Sequence, residues 1–111
     1  MPAKFELTKS PKGEFHFHLK APNGQIIVTS QEYKSKRAAI NGIESVKKNA
    51  PNDKLYERKV DKAGHPRFNL KAGNHQVIAS SQGYHSEEAR EKGISAVKKD
   101  APSATVVDEA K

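Results

Sequence analysis

The chain has no cysteine in its 111 residues, so neither a disulfide framework nor a thiolate metal site can reinforce the core. Packing must hold it alone. No apolar run approaches the roughly 20 residues of a membrane-spanning helix. Met1-Pro2-Ala3-Lys4 leads straight into the first patterned segment, without the apolar stretch of a secretion signal. A reducing cytoplasm is the expected location, with no membrane partner. The seven glycines form neither a GxGxxG nor a GxxxxGKS/T run, which disfavours phosphate cradling by a glycine loop. Serines and histidines are present, but no pattern unites a nucleophile, a base and an orienting acid. The paired acids Glu87-Glu88 fall in the first turn of a helix, where the helix dipole favours negative charge. Neither enzymatic activity nor a cofactor is expected.

What the chain does contain is a passage written twice. Leu19-Lys20-Ala21, Gln25, Ile27, Ser30-Gln31, Tyr33, Ser35, Gly42-Ile43, Val46-Lys47-Lys48 and Ala50-Pro51 recur, 51 positions on, from Leu70-Lys71-Ala72 to Ala101-Pro102. Between Phe17 and Pro51 roughly 19 of 35 positions are identical in the two copies, the mark of a duplicated supersecondary unit. A chain of this length has room for one small domain, and each half alone would be marginal. The two copies must therefore share a core.

Lys4 to Lys9 and Glu14 to Lys20 read as strands. In the second, Phe15, Phe17 and Leu19 alternate with His16, His18 and Lys20, which sends the apolar set to one face. Ala21-Pro22-Asn23-Gly24 supplies Asn-Gly, the strongest two-residue hairpin signal, before a returning strand from Gln25 to Ser30. The second copy has Asn74-His75 there, so the same turn is expected at some strain. Ser35 and Ser86 stand as N-caps of helices over Lys36 to Lys48 and Glu87 to Lys99. Ala38, Gly42, Ile43, Val46 and Ala50, matched by Ala89, Gly93, Ile94, Val97 and Ala101, share one helical face. Pro51 and Pro102 end both helices after basic last turns. Glycine inside a helix costs about 1 kcal/mol relative to alanine, so Gly42 and Gly93 predict a close approach to the sheet or to the other helix.

Lys54 to Lys59 follows the first helix and also aligns with the opening strand Phe5-Glu6-Leu7, and Thr105-Val106-Val107 aligns with it again. One strand is thus expected to close the first unit and open the second. The expectation is one domain over residues 1–111: a first repeat over 4–54, a second over 55–107 and a frayed tail over 108–111.

Twenty Lys and Arg against 13 Asp and Glu give a net charge of +7. Nine basic and four acidic residues place +5 of it in residues 1–51. Such a surplus suits a polyanionic partner, or serves solubility alone. His16, His18 and Lys20 of one copy with Arg67, Asn69 and Lys71 of the other are expected to form a polar, basic sheet surface away from the helices. Lys36-Arg37 add to it where the second copy has Glu87-Glu88. Surfaces of this kind bind single-stranded nucleic acid when exposed aromatics accompany the charge. Here Phe15 and Phe17 alternate onto the opposite face, and Lys12-Gly13-Glu14-Phe15-His16-Phe17 only loosely echoes an RNP1 string. His16 and His18, about 7 Å apart along one strand face, would need a further ligand to hold a metal. Arg67 and Asn69 at the matching places are poor ligands. Tyr33 and Tyr84, in the duplicated strand-to-helix loops, are expected to plug the end of the core and hydrogen-bond a backbone group.

The pattern Phe17-x-Leu19-Lys20-Ala21-x-Asn23-Gly24-Gln25-x-Ile27, Ser30-x-x-Tyr33-x-Ser35, Gly42-Ile43-x-x-Val46-Lys47-Lys48-x-Ala50 resembles the repeat of the YegP-like family of small bacterial proteins. The resemblance covers nearly the whole chain, twice. It implies an α+β fold: tandem β3-α-β repeats forming one antiparallel sheet with two helices on one face, pseudo-twofold symmetric, with strand exchange between repeats. It also implies that single-repeat relatives reach this arrangement as dimers, so that this chain acts as a covalent pseudo-dimer and is itself a monomer. No catalytic or binding residue comes with it. The expected function is a non-enzymatic binding or protein-interaction module. The alternative is a nucleic-acid-binding module using a basic surface concentrated in the first repeat, with His16, His18, Lys20, Lys36, Arg37, Arg67 and Lys71 as its candidate residues.

Overall fold

Alternating apolar residues bounded by tight turns give strands, and capped amphipathic runs give helices, in the order β1 (Lys4–Lys9), β2 (Phe15–Lys20), β3 (Ile26–Ser30), α1 (Lys36–Asn49), β4 (Tyr56–Val60), β5 (Pro66–Lys71), β6 (Val77–Ser81), α2 (Glu87–Asp100) and β7 (Thr105–Asp108). This computed structural model describes residues 3–110. Met1-Pro2 of the lead-in and Lys111 of the tail lie outside the described residues. Short 3-10 turns at Asp53–Leu55 and Ala101–Ser103 follow the two helices.

The strands form a single seven-stranded sheet in the order β4-β5-β6-β3-β2-β1-β7. The two repeats meet at the antiparallel pair β3 and β6, where Thr29 faces Ser80, flanked by the equivalent pairs Val28 with Ser81 and Ser30 with Ala79. A pseudo-twofold axis therefore passes between Thr29 and Ser80. Both helices cover one face: α1 lies on β2, β5 and β6, and α2 on β3 and β5. Each helix thus reaches strands of the other repeat, and Phe5, Leu7, Phe17, Leu19, Ile43, Phe68, Leu70 and Ile94 form one fully buried core.

Ser35 and Ser86 cap the helices as the sequence implies, accepting the backbone N–H groups of Ala38 at 3.1 Å and Ala89 at 3.0 Å. The buried stripe begins one position later than expected, at Ala39 rather than Ala38. Its counterpart in α2 is Arg90, buried to 9 % exposure, whose guanidinium donates to Glu91 Oε2 at 3.1 Å.

Three further details depart from the sequence reading. The hairpin at Asn23-Gly24 is not a two-residue turn. Ala21 donates to Gln25 across a three-residue loop, and Gly24 donates back to Ala21 at 2.9 Å. Only Gly24 has positive φ, +89°, which identifies a type I turn closed by a left-handed residue. The same pattern recurs at Gly13 and Gly64 with φ +85° and at His75 with φ +70°, so the second copy does keep the turn with a strained residue.

Secondly, β4 bonds only to β5; it opens the second repeat without closing the first. The exchange between repeats is carried by β7, which adds to β1 in parallel, Lys4 opposite Thr105 through Leu7 opposite Asp108. The sheet is antiparallel except for this pair.

Thirdly, the tail is held as far as Ala110. Glu109 N–H donates to Leu7 C=O at 2.8 Å, Lys36 Nζ donates to Asp108 Oδ2 at 2.9 Å and Ala110 C=O at 3.0 Å, and Ala110 is 5 % exposed.

Candidate interaction face of the sheet

Because Phe17 and Leu19 turn toward the helices, His16, His18 and Lys20 stand on the uncovered face, as do Arg67, Asn69 and Lys71 around Phe68 and Leu70. Cross-strand registers string one residue from each of six strands into a row, Glu6, His18, Thr29, Ser80, Asn69, Glu57. At ~4.8 Å per strand the row spans about 24 Å. It is symmetric about Thr29 and Ser80 and ends in a carboxylate on each side.

Those carboxylates organise the charge. Glu6 accepts from His18 Nε2 at 2.5 Å and lies 3.3 Å from both Lys4 Nζ and Lys20 Nζ. The His18 hydrogen bond, opposed by desolvation and aided by the two lysines, holds the Glu6 carboxyl down at about 2. Glu57, the counterpart 51 residues on, accepts from Asn69 Nδ2 at 2.9 Å and pairs with Lys71 Nζ at 3.2 Å. Its carboxyl is also held low, first by the Asn69 hydrogen bond and then by Lys71. The sequence reading missed both acids. The signal was there, because Glu stands at the same place in both copies, but only its cross-strand neighbours make it a cluster.

Of the seven basic residues singled out from sequence, five share this face and two do not. Arg67 Nε donates to Asp61 Oδ2 at 2.7 Å, and Asp61 is held low first by the backbone N–H of His65 and next by Arg67. His16 Nε2 is hydrogen-bonded to Thr8 Oγ1 at 3.0 Å. Its Nδ1 is buried without a partner, 3.8 Å from Glu32 Oε2. Lys36 and Arg37 open α1, where Lys36 is engaged by β7 and the tail. The structure therefore does not bring them together with the histidines. Nor is the face a bare basic surface, since His18, Lys20, Arg67 and Lys71 each have a carboxylate partner. Among the described residues no three His, Asp or Glu side chains converge to hold a metal ion.

Between the two carboxylate clusters lies a groove of about 530 Å³ over β3 and β6, lined by Ile26 to Gln31, Val77 and Ala79 to Gln82. Small side chains on the central strands make it, and longer ones on β2 and β5 flank it. Thr29, Ser80 and the two glutamines offer hydrogen bonds, while Ile26 and Val77 remain exposed to 43 % and 36 %. No helix of the described chain is long and apolar enough to cross a membrane.

The duplicated tyrosines lie on the other face and fill the core's ends. Tyr33 stacks on Phe17 with ring centroids 6.2 Å apart and 11° between planes, and Tyr84 stacks on Phe68 at 6.2 Å and 13°. Their hydroxyl ends sit over Gly42 and Gly93, which explains the helix glycines: the close approach is to a tyrosine. The backbone, rather than the phenol, makes the expected hydrogen bonds. Tyr33 and Phe15 exchange N–H to C=O bonds at 2.6 and 2.8 Å. Burial pushes both phenols up, with Gln31 opposing this at Tyr33.

Comparison with known proteins bears on the repeat directly. Residues 10–57 and 61–108 each match the family described as "Domain of unknown function (DUF1508)". The chain belongs to this family. It is 56 % identical over 108 residues, 97 % of each chain, to the UPF0339 protein in the ptx operon 5′ region of Stutzerimonas stutzeri. It is 50 % identical over 104 residues, 94 % of each chain, to the UPF0339 protein YegP of Escherichia coli K12. The solution structure of E. coli YegP superposes with a TM-score of 0.93 at 48 % identity, covering 99 % of this chain and 95 % of that one. That of the Shewanella oneidensis UPF0339 protein gives 0.93 at 45 % identity, covering 99 % and 93 %. The YegP-like resemblance and the tandem-repeat α+β fold are thereby established for this DUF1508 chain.

Proposed function

We propose that this DUF1508 protein is a non-enzymatic binding module, working as a cytoplasmic monomer, that receives a protein partner on the uncovered face of its sheet. The observation that carries the reading is charge balance. The cations flanking the central groove are already matched by Glu6, Glu57 and Asp61, so a phosphate backbone laid there would have to displace carboxylates. A groove offering hydroxyls, amides and two exposed aliphatic side chains suits a protein surface, in which polar and apolar contacts mix.

The competing reading, nucleic-acid binding through the basic first repeat, retains Arg37, which is exposed at the start of α1. The two separate by salt dependence, because affinity for a polyanion falls steeply as counterions are added. The uncovered-face reading expects no mobility shift of single- or double-stranded oligonucleotides at low salt. It also expects partners captured from lysate to be lost when Thr29→Arg and Ser80→Arg are introduced together, with the fold intact by circular dichroism. Oligonucleotide binding that vanishes between low and moderate salt, or capture indifferent to the two arginines, overturns it.

A further inference from the structure

The duplication supplies a template for a second surface, at the sheet edge beyond Glu57 rather than over the central groove. β1 and β4 are the same strand in the two copies, Phe5 matching Tyr56 and Glu6 matching Glu57 at the 51-residue offset. β1 carries β7 along its outer side, whereas nothing among the described residues lies beside β4. Chain connectivity is the reason. The segment after α2 is free to lie beside β1, but the segment after α1 runs directly into β4 and cannot also lie beside it.

The vacancy shows in the side chains. Val107 of β7 stands opposite Glu6, whose side chain is 9 % exposed; Glu57, held by Asn69 and Lys71 but with no strand on the outer side of β4, is 42 % exposed. Leu7 C=O accepts from Glu109 N–H, and Arg58 is its counterpart on the open edge. The clamp at the end of the slot has its charge reversed. Lys36 holds Asp108 of β7, and the residue matching Lys36 is Glu87. Of the acids opening α2, Glu88 pairs with Lys92 and Glu91 with Arg58, leaving Glu87 without an ion pair among the described residues. Arg58 is already engaged by Glu91 and Asp53, and these two acids also hold Arg90 and Lys98, so Glu87 is the acid at this end of the edge left for a basic residue to meet.

We propose that the outer edge of β4 is a docking site for an extended segment of a partner protein. The segment adds in parallel as β7 does on β1, with aliphatic residues at the second and third places and Lys or Arg where β7 has Asp108. Strand addition draws affinity from main-chain hydrogen bonds and specificity from alternate side chains. Here the third residue would cover Glu57 and the basic residue would meet Glu87.

The test uses the full chain and two peptides, one copying Ser103 to Ala110 and the other the same sequence carrying Asp108→Lys, titrated while backbone amides are followed by NMR. The expected result is shifts and slowed hydrogen exchange confined to Leu55 to Lys59. The lysine peptide should bind about threefold to fivefold more tightly, as a surface ion pair allows, and Glu87→Lys should reverse the preference. No change at β4 at millimolar peptide, shifts centred on β1 through displacement of β7, or equal binding of the two peptides overturns the proposal. So does a peptide-independent dimer that protects the same amides, which would make a second copy the occupant. Either surface can fail without the other, since the arginines that test the groove lie on β3 and β6.

Discussion

Replacing Gly42 by alanine tests the packing of tyrosine against helix, and its expected sign is opposite to the usual one. In an ordinary helix interior the change stabilises by about 1 kcal/mol. Here a Cβ at 42 would stand 2.5 Å from Tyr33 Oη, 2.9 Å from its Cζ and 3.0 Å from Phe17 Cε2, all well inside van der Waals contact. Phe17 is fully buried and packed edge-on against Phe5 at 5.9 Å, so it cannot retreat. Tyr33 is half-exposed and can swing outward only by giving up its stack on Phe17, worth about 0.5–1.5 kcal/mol. Overpacking of this kind costs about 1–3 kcal/mol. Set against the propensity gain, the net expectation is a loss of up to about 2 kcal/mol in the native background.

In a Tyr33→Ala background the main obstacle is gone, and Gly42→Ala should become neutral or stabilising by up to about 1 kcal/mol. The second repeat provides an internal replicate. A Cβ at Gly93 also collides with the Tyr84 ring, but Phe68 Cε1 is farther away at 3.3 Å, so the reversal in Tyr84→Ala should be cleaner there. Urea unfolding of the two double-mutant cycles at neutral pH measures both couplings. Stabilisation by Gly42→Ala in the native background, or couplings below about 0.5 kcal/mol in both repeats, would falsify the packing explanation.

Glu6 sets an acid limit on stability. Its carboxyl is lowered from 4.5 to about 2 in the folded state, so its contribution is complete above about pH 4.5 and is lost as pH falls through 2. Allowing for solvent screening of the two lysines, this amounts to about 1–2 kcal/mol; Glu6→Gln should remove that portion of the acid slope in urea titrations between pH 5 and 2, and an unchanged slope would dismiss it. His75→Gly, which relieves φ +70°, should stabilise by about 0.5–1 kcal/mol, whereas Gly24→Ala at φ +89° should destabilise by about 1–2 kcal/mol; equal effects in thermal melts would contradict the turn geometry. Tyr33→Phe and Tyr84→Phe should change stability by less than about 0.5 kcal/mol, since stacking on Phe17 and Phe68 is what holds the rings. A larger loss in thermal melts would argue for a hydroxyl partner.

The helices were legible because their signals are local: Ser35 and Ser86 cap within three residues, and the apolar stripe repeats within a few turns. The stripe's misplacement by one residue, Ala38 for Ala39, follows from neighbouring alanines that composition cannot distinguish. Turn type was less legible, since Asn-Gly serves both a two-residue hairpin and a type I turn with a left-handed closing residue; the backbone bond from Ala21 to Gln25 decides it. What the sequence hid was long-range. Lys36 and Asp108 are 72 residues apart, and the resemblance of Thr105-Val106-Val107 to the segment before β4 points to common ancestry without saying which strand lies beside β7. Glu6 and Glu57 stand out only once His18 and Asn69 meet them across the ladder.

The two copies therefore diverge less on the uncovered face than their sequences suggest. His18 and Asn69 look unrelated, yet each donates to the glutamate opposite it, so the hydrogen-bond pattern survives the change of residue. A neutral amide and an imidazole can do this interchangeably because the carboxylate only accepts. Confining a site to the more basic first repeat is then unnecessary. The groove straddles the axis at Thr29 and Ser80, and a partner centred there would meet similar polar groups on either side. The repeats differ decisively at the outer edges. β7 covers Glu6 at one, while Glu57 stays open at the other, and Lys36 is exchanged for Glu87. A duplicated unit whose centre stays symmetric while its edges diverge can offer one shared groove and one unshared edge.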